Sequence, residues 1–334
     1  MASPDEVGEL RRRVGELADA RFGGAAIELF EPLPGGHSGL TWMVELATAA
    51  GRRRIVVKST PAGRDPVGRH DVLRQERIIS VLDKVPGVEV PQVFFADEGP
   101  PRLFAMAAIE GRGDEPILDE GAEPEPAAEI ESLWEGAVAT LVALGAADPE
   151  ALGLADAPVV GAAEEIERWS ATARAAGPEV EALARPLAAA LRTRLPAPPP
   201  RPALVHGDYR LGNMLRMDGR IHALIDWEIW SLGDPRTDLG WLTMFTEPGT
   251  FPGIGREVAG TPAAEQVLAA YEREAGVAVD DPCFFRALAC FKLGSVQAHN
   301  LRRHREGRRR DPWLERFAAG VERLFARGIE LLGG

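Results

Sequence analysis

Apolar positions recur at helical or strand spacing along most of the chain. Val7, Leu10, Val14 and Leu17 predict an amphipathic helix over Pro4–Ala20. Ile27–Leu33 reads as a strand, and a glycine-rich stretch, Pro34 to Leu40, separates it from a second apolar run ending at Leu46. Arg54–Lys58 is a strand of three branched residues that ends in a lysine. Arg69–Lys84 predicts a helix anchored by Val72, Ile79 and Leu82. Pro91–Asp97 and Arg102–Met106 pair as strands around the turn at Gly99, Pro100 and Pro101. Beyond residue 113 the pattern turns helical. Helices are expected over Glu131–Leu144, Glu164–Ala173 and Val180–Leu195, the last stopped by the proline run at 196–200. Leu204 and Val205 form a short strand entering a polar loop, and Ile221–Ile225 forms another that delivers Asp226 at its end. Three helices close the chain, over Ala263–Glu274, Pro282–Arg303 and Pro312–Leu332.

Composition narrows the class. The 334 residues are 45% hydrophobic, enough for one large domain or two modest ones. A formal net charge of -13 argues against nucleic acid as a partner, since backbone binding needs clustered Lys and Arg. It hints weakly at a cationic substrate. Arg302–Arg310 is a basic cluster that reads as a helix end. Cys283 and Cys290 lack metal spacing and read as small apolar packing residues, so a reducing cytoplasm fits. No apolar run is long enough to span a membrane, and residues 1–5 carry no signal-peptide core.

Chemistry concentrates in two adjoining stretches. Leu204–Asn213 places Asp208 and Asn213 on one polar loop, and Leu224–Glu228 ends an apolar strand in Ile-Asp-Trp-Glu. An Asp base near an Asn and a second Asp that bind divalent metal is the set phosphoryl transfer from ATP requires. The ordered string His206-Gly207-Asp208 to Asn213, then Ile225 to Glu228, then Gly233-Asp234-Pro235-Arg236-Thr237-Asp238-Leu239, resembles the aminoglycoside phosphotransferase and choline kinase family, relatives of the protein kinases. The resemblance covers most of the chain and is weakest between Gly121 and Pro200.

That resemblance implies an α+β, two-lobed protein-kinase-like fold. A small lobe over residues 1–110 would hold an antiparallel sheet plus a helix, and a mostly helical large lobe over 111–334 would bind the acceptor. It implies ATP and Mg²⁺ as cofactors and transfer of the γ-phosphoryl group to a hydroxyl of a small molecule. In the small lobe, Gly36 and Ser38 would cover the phosphates, Lys58 would grip them, and Glu76 would hold Lys58. Met106 and the backbone of Ala108 would receive the adenine; here Ala107 follows the methionine where the family often has Glu. Asp208 would be the base, Arg210 would steady the transferred group, and Asn213 and Asp226 would bind the metal. His206 would brace the loop, Asp234 and Asp238 would cap helices and tie the loop down, and Glu228 would approach a second metal or the substrate. The acceptor stays open among aminoglycosides, choline, sugars and hydroxylated acids. Two rival readings are a nucleotide-binding protein without transfer activity and a protein kinase. An Asp-Phe-Gly and an Ala-Pro-Glu segment are both missing, which counts against the second.

Overall fold

The computed structural model describes residues 4–33, 40–61, 67–119, 125–308 and 310–333. It divides into two compact units, residues 1–111 with 222–229, and residues 112–221 with 230–334. The first is an antiparallel sheet with helices; the second is mostly helical, as a two-lobed kinase-like fold requires.

In the first unit α1 (Pro4–Phe22) leads into β1 (Ala26–Pro32), β2 (Leu40–Thr48) and β3 (Gly51–Ser59). Helix α2 (Val72–Leu82), β4 (Val93–Asp97) and β5 (Leu103–Ala107) follow. The five strands lie in the order β1-β2-β3-β5-β4, each pair antiparallel. Strand alternation sends every second side chain to one face. Trp42, Val44 and Leu46 of β2, Ile55 and Val57 of β3, and Leu103 and Ala105 of β5 therefore meet Leu10, Val14 and Ala18 of α1 in one buried cluster. Helix α2 starts where Asp71 accepts the amide of Leu73 at 3.2 Å, a side-chain N-cap. Its start is three residues later than the apolar spacing predicts, because Gly68–His70 forms a separate 3₁₀ turn.

The second unit begins with α3 (Ala127–Ala146), which starts at Pro126 and so runs longer than the predicted 131–144. After β6 (Val159–Val160) come α4 (Ala162–Ala176), α5 (Pro178–Thr193), β7 (Ala203–Val205) and β8 (Met214–Met217). The chain re-enters the first unit within β9 (Arg220–Leu224) and leaves it before β10 (Ser231–Gly233). Then come α6 (Arg236–Met244), α7 (Ala264–Ala275), α8 (Pro282–Arg305) and α9 (Ala318–Leu331). The predicted last helix opens instead with a 3₁₀ stretch, Pro312–Phe317, where Asp311 accepts the amide of Trp313. Strands β6, β10 and β7 form a small mixed sheet, β10 parallel to β6 and antiparallel to β7. Strands β6 and β10, two and three residues long, carry too little alternation to be read on their own and went unpredicted, whereas the equally short β7 was marked by the polar loop it enters. The core is built around α8, whose Phe284, Phe285, Leu288 and Phe291 pack with Ile166, Leu187, Val321 and Phe325. Cys290 is buried there, but Cys283 is exposed, so only one of the two cysteines packs as expected. In the basic cluster Arg302 pairs with Glu306 and Arg305 with Glu315. Among the described residues no helix is long and apolar enough to cross a membrane.

Gly240 of α6 lets α6 approach α8: a Cβ there would sit 2.4 Å from the Phe285 carbonyl oxygen. An exposed helical Gly→Ala change usually stabilises by roughly 1 kcal/mol. Backbone has nowhere to move at this contact, so overpacking wins and Gly240→Ala should destabilise by about 1–3 kcal/mol. Gly8 of α1 has no atom within 4 Å of its virtual Cβ, so Gly8→Ala should stabilise slightly. Urea unfolding of both variants checks the opposite signs.

Candidate active site

Because Ile55 and Val57 of β3 face the α1 core, Val56 and Lys58 face the other side of the sheet. Lys58 lies across from Thr41 and Phe104, and Val56 across from Met106, so these residues share that face. Lys58 Nζ donates to Gln75 Oε1 at 2.9 Å and lies 3.4 Å from Asp226 Oδ1. Glu76 does not hold Lys58, a correction to the expectation above. Its Oε1 accepts from the Ser80 hydroxyl at 2.7 Å instead. Helical geometry gives the reason. Gln75 lies three residues after Val72 and four before Ile79, at the centre of the buried stripe of α2, and is 1% exposed. Glu76 is rotated one residue off that stripe.

Asp226 sits at the end of β9 with φ at +67°, a left-handed conformation that Asp tolerates better than most residues. Leu224 anchors the strand end by donating its amide to the Glu89 carbonyl at 2.8 Å. The indole N–H of Trp227, a fully buried side chain, donates to the Leu224 carbonyl at 3.0 Å. Glu228 lies on the 3₁₀ turn Trp227–Ile229, and its carbonyl accepts from Arg74. Met106 is buried at 7% exposure. The amide of Ala108 donates to the Arg54 carbonyl at 3.3 Å, which leaves its own carbonyl as the group it can offer a base. Gly36 and Ser38 lie outside the described residues.

In the second unit β7 feeds the loop that carries Asp208. Asp238, in the first turn of α6 and fully buried, accepts the amides of His206 at 2.6 Å and Gly207 at 2.9 Å. It therefore ties down the loop rather than capping its own helix. His206 Nδ1 accepts the Asp208 amide at 3.1 Å, a bracing role. Asp234 accepts the Arg236 amide at 3.0 Å and pairs with the Arg236 guanidinium. Asn213 Nδ2 donates to the Asp208 carbonyl and to Asp208 Oδ2, both at 2.8 Å. The Trp241 indole N–H donates to Asp208 Oδ1, also at 2.8 Å. Arg210 lies 3.4 Å from Asp208 Oδ1 and 3.7 Å from Glu115 Oε2. It thus joins two carboxylates of its own unit.

Loss of solvent pushes the Asp208 carboxyl up, but Arg210, Lys292, the hydrogen bond from Asn213 and His206 together outweigh it. The net effect holds Asp208 below its ordinary value and keeps it ionised. Glu115 shows the opposite balance. Burial pushes it up to about 7, against the charge of Arg210 and the Gly212 amide that donates to it at 3.1 Å. Its Oε1 has no hydrogen-bond partner among the described residues. Glu115 belongs to a segment that lines the base loop: Arg112 exchanges backbone hydrogen bonds with Arg216 at 3.0 Å each, and Gly113 sits against the Gly212 carbonyl.

Gln75, Glu115, Trp241 and Lys292 were missed in sequence. Gln75 was findable from the α2 stripe, and Lys292 as the lone cation in the apolar run Ala287–Leu293. Both residues predicted to bind metal offer hard oxygen donors, which suits Mg²⁺. Asn213 spends its amide nitrogen on Asp208 and keeps its Oδ1 as an acceptor, while Asp226 has a side chain 40% exposed.

Residues 30–283 match the model of the phosphotransferase enzyme family. Rat acyl-CoA dehydrogenase family member 11 is 28% identical over 263 residues, 74% of this chain but 33% of that protein. A probable acyl-CoA dehydrogenase of Arabidopsis thaliana, IBR3, is 28% identical over 225 residues, 63% of this chain and 27% of its own. The chain spans about a third of the length of these relatives. Among solved structures, a candidate aminoglycoside phosphotransferase of Ralstonia eutropha superimposes with a TM-score of 0.77 at 21% identity, covering 96% of this chain and 98% of its own. The ADP-bound aminoglycoside phosphotransferase APH(2'')-Ib does so with 0.58 at 17%, covering 99% of both. At these identities the likeness is one of fold.

The raised pKa of Glu115 has a signed consequence for stability. A carboxyl that titrates near 7 when folded and near 4.5 when unfolded binds more protons in the folded state between those values. Its contribution is complete below the unfolded value and is lost as pH rises through 7. Glu115→Gln stays neutral throughout. Its unfolding free energy relative to wild type should therefore climb between about pH 4.5 and about pH 7, by at most roughly 3–4 kcal/mol. Parallel pH–stability curves for the two proteins would show that Glu115 does not titrate there.

Proposed function

Because the chain belongs to the phosphotransferase enzyme family, we propose that it transfers the γ-phosphoryl group of ATP to a hydroxyl of a small molecule. The observation that carries this reading is the state of Asp208. It is held ionised, and each of its carboxylate oxygens already accepts one fixed donor, Asn213 on one side and Trp241 on the other. A carboxylate so placed orients an acceptor hydroxyl and takes its proton late, when the oxygen has become acidic. Its depressed pKa suits orientation better than early proton abstraction.

The remaining residues divide by task. Lys58 supplies the cation for the nucleotide phosphates, and the neutral amide of Gln75 fixes it without cancelling its charge. Gly36 and Ser38 would cover the phosphates, and Met106 and the Ala108 carbonyl would receive the adenine. Asn213 and Asp226 would hold Mg²⁺, which when bound neutralises phosphate charge. Lys58 and Asp226 neutralise one another at 3.4 Å, so metal binding at Asp226 would release the lysine for the phosphates. Arg210 would steady the transferred group from its position beside Asp208. The reaction fits the ATP-rich cytoplasm.

Family membership leaves the acceptor open. Aminoglycosides, choline-like alcohols, sugars and hydroxylated acids are the candidates, and the words acyl-CoA dehydrogenase in the relatives' names add hydroxylated acyl thioesters. A turnover screen with ATP against these classes and a generic protein mixture identifies the acceptor. ATP binding without transfer to any of them would favour a nucleotide-binding protein without catalysis.

With the best acceptor, Asp208→Ala should lower single-turnover transfer by roughly 10²- to 10⁴-fold while ATP·Mg²⁺ affinity stays nearly intact. Asp226→Ala should weaken affinity and turnover together. Calorimetry beside rapid-quench transfer separates the two. Near-wild-type transfer by Asp208→Ala would sink its assignment as the base.

A further inference from the structure

Lys292 lies on α8, 5% exposed. Burying an ammonium is costly unless something replaces its water. Its close contacts are a carbonyl and two rings: Nζ donates to the Gly207 carbonyl and lies 4.2 Å from the ring centre of Trp241 and 5.3 Å from that of Trp169, while its charge also acts on the carboxyls of Asp208 and Asp238. Both rings therefore solvate the cation through their faces. The same Trp241 presents its N–H edge to Asp208 Oδ1. Gly207, the other contact, is the residue immediately before Asp208 and donates its amide to Asp238. Lys292 thus touches the base loop at two points, the backbone that leads into Asp208 and the indole that binds its carboxylate.

We propose that Lys292 is a positioning residue for phosphoryl transfer, acting through the face of Trp241 and the Gly207 carbonyl to fix Asp208. A cation on the face of an indole draws electron density from the ring and makes its N–H a stronger donor, and chains of such contacts reinforce one another. The ammonium also holds the Trp241 plane, so the N–H points at one carboxylate oxygen. The other oxygen is held by Asn213, which leaves Asp208 little freedom to rotate. A packing role alone would be served better by an apolar side chain, since well-packed apolar replacements of buried charged groups are often neutral or stabilising. The inference rests on the assignment of Asp208 as the base.

The test uses the full chain with Lys292→Met, Trp241→Phe and the double variant. Lys292→Met should keep its melting temperature and its KM for ATP while kcat falls about tenfold, the size expected of a desolvated cation–π contact. Trp241→Phe keeps a ring for the cation but loses the N–H, and should lower kcat as well. The double variant should be no slower than the slower single variant, because both changes break one chain of contacts. Wild-type kcat in Lys292→Met, or losses that multiply in the double variant, would overturn the proposal. A second readout needs no turnover. The Trp241 indole N–H resonance, assigned by its disappearance in Trp241→Phe, should move and exchange faster with solvent in Lys292→Met. An unmoved resonance with unchanged exchange would overturn the clamp even if the wild-type protein transferred phosphate to nothing, an outcome that would sink the proposed function instead.

Discussion

One buried carboxylate organises the second unit's chemistry. Asp238 has no exposure, and the amides of His206 and Gly207 satisfy it. Burial pushes its carboxyl up, and those amides together with His206 and Lys292 work against that push. Without these donors a carboxylate in that place would be prohibitively costly, so the loop and the first turn of α6 hold each other in position. The rest follows from this tie. The loop's direction is set before Asp208 is reached, His206 then receives the Asp208 amide, and Asn213 returns to bond the carboxylate from the far side.

Around this tie, charge is balanced unevenly. Asp208 is held ionised by cations and donors gathered from its own loop, from α6 and from α8. Glu115, which meets the same Arg210, is pushed toward neutrality because its burial outweighs what Arg210 and Gly212 return. Two carboxyls on either side of one guanidinium are thereby driven in opposite directions, and Arg210 is left leaning on the one that stays charged. In the first unit Lys58 shows a milder version of the same economy: its closest partner is an amide, and Asp226 supplies the negative charge.

Much of the fold was legible in sequence. Long periodic segments announced α1, α5, α7 and α8, because burial on one face repeats with the period of the helix, and short continuous apolar runs announced β3 and β5. What was hidden was hidden for physical reasons. Residues Val159–Val160 and Ser231–Gly233 are too short for any period. Residues Asp208, Asn213 and Asp226 stood out because their order along the chain is itself informative. Their supports, Trp241 and Lys292, come from helices read only as core, where a polar contact leaves no spacing signature. Glu76 has the charge that a lysine partner calls for, but the helical stripe of Val72, Ile79 and Leu82 puts Gln75, not Glu76, on the buried face.

The path of the chain bears on how the protein is made. Residues 222–229 belong to the first unit, yet they are synthesised only after a long stretch of the second. Until they leave the ribosome, Glu89 lacks the Leu224 amide, α2 lacks the turn that packs against it, and Lys58 lacks its carboxylate. The nascent N-terminal sheet can close over α1, but its functional face stays unfinished while the helices that follow are being translated. Assembly on the ribosome is therefore not strictly N-terminal first: the small unit waits for residues that follow most of the large one, and a cut anywhere between residues 112 and 221 would leave Lys58 and Asp226 on separate pieces of chain, joined only by packing.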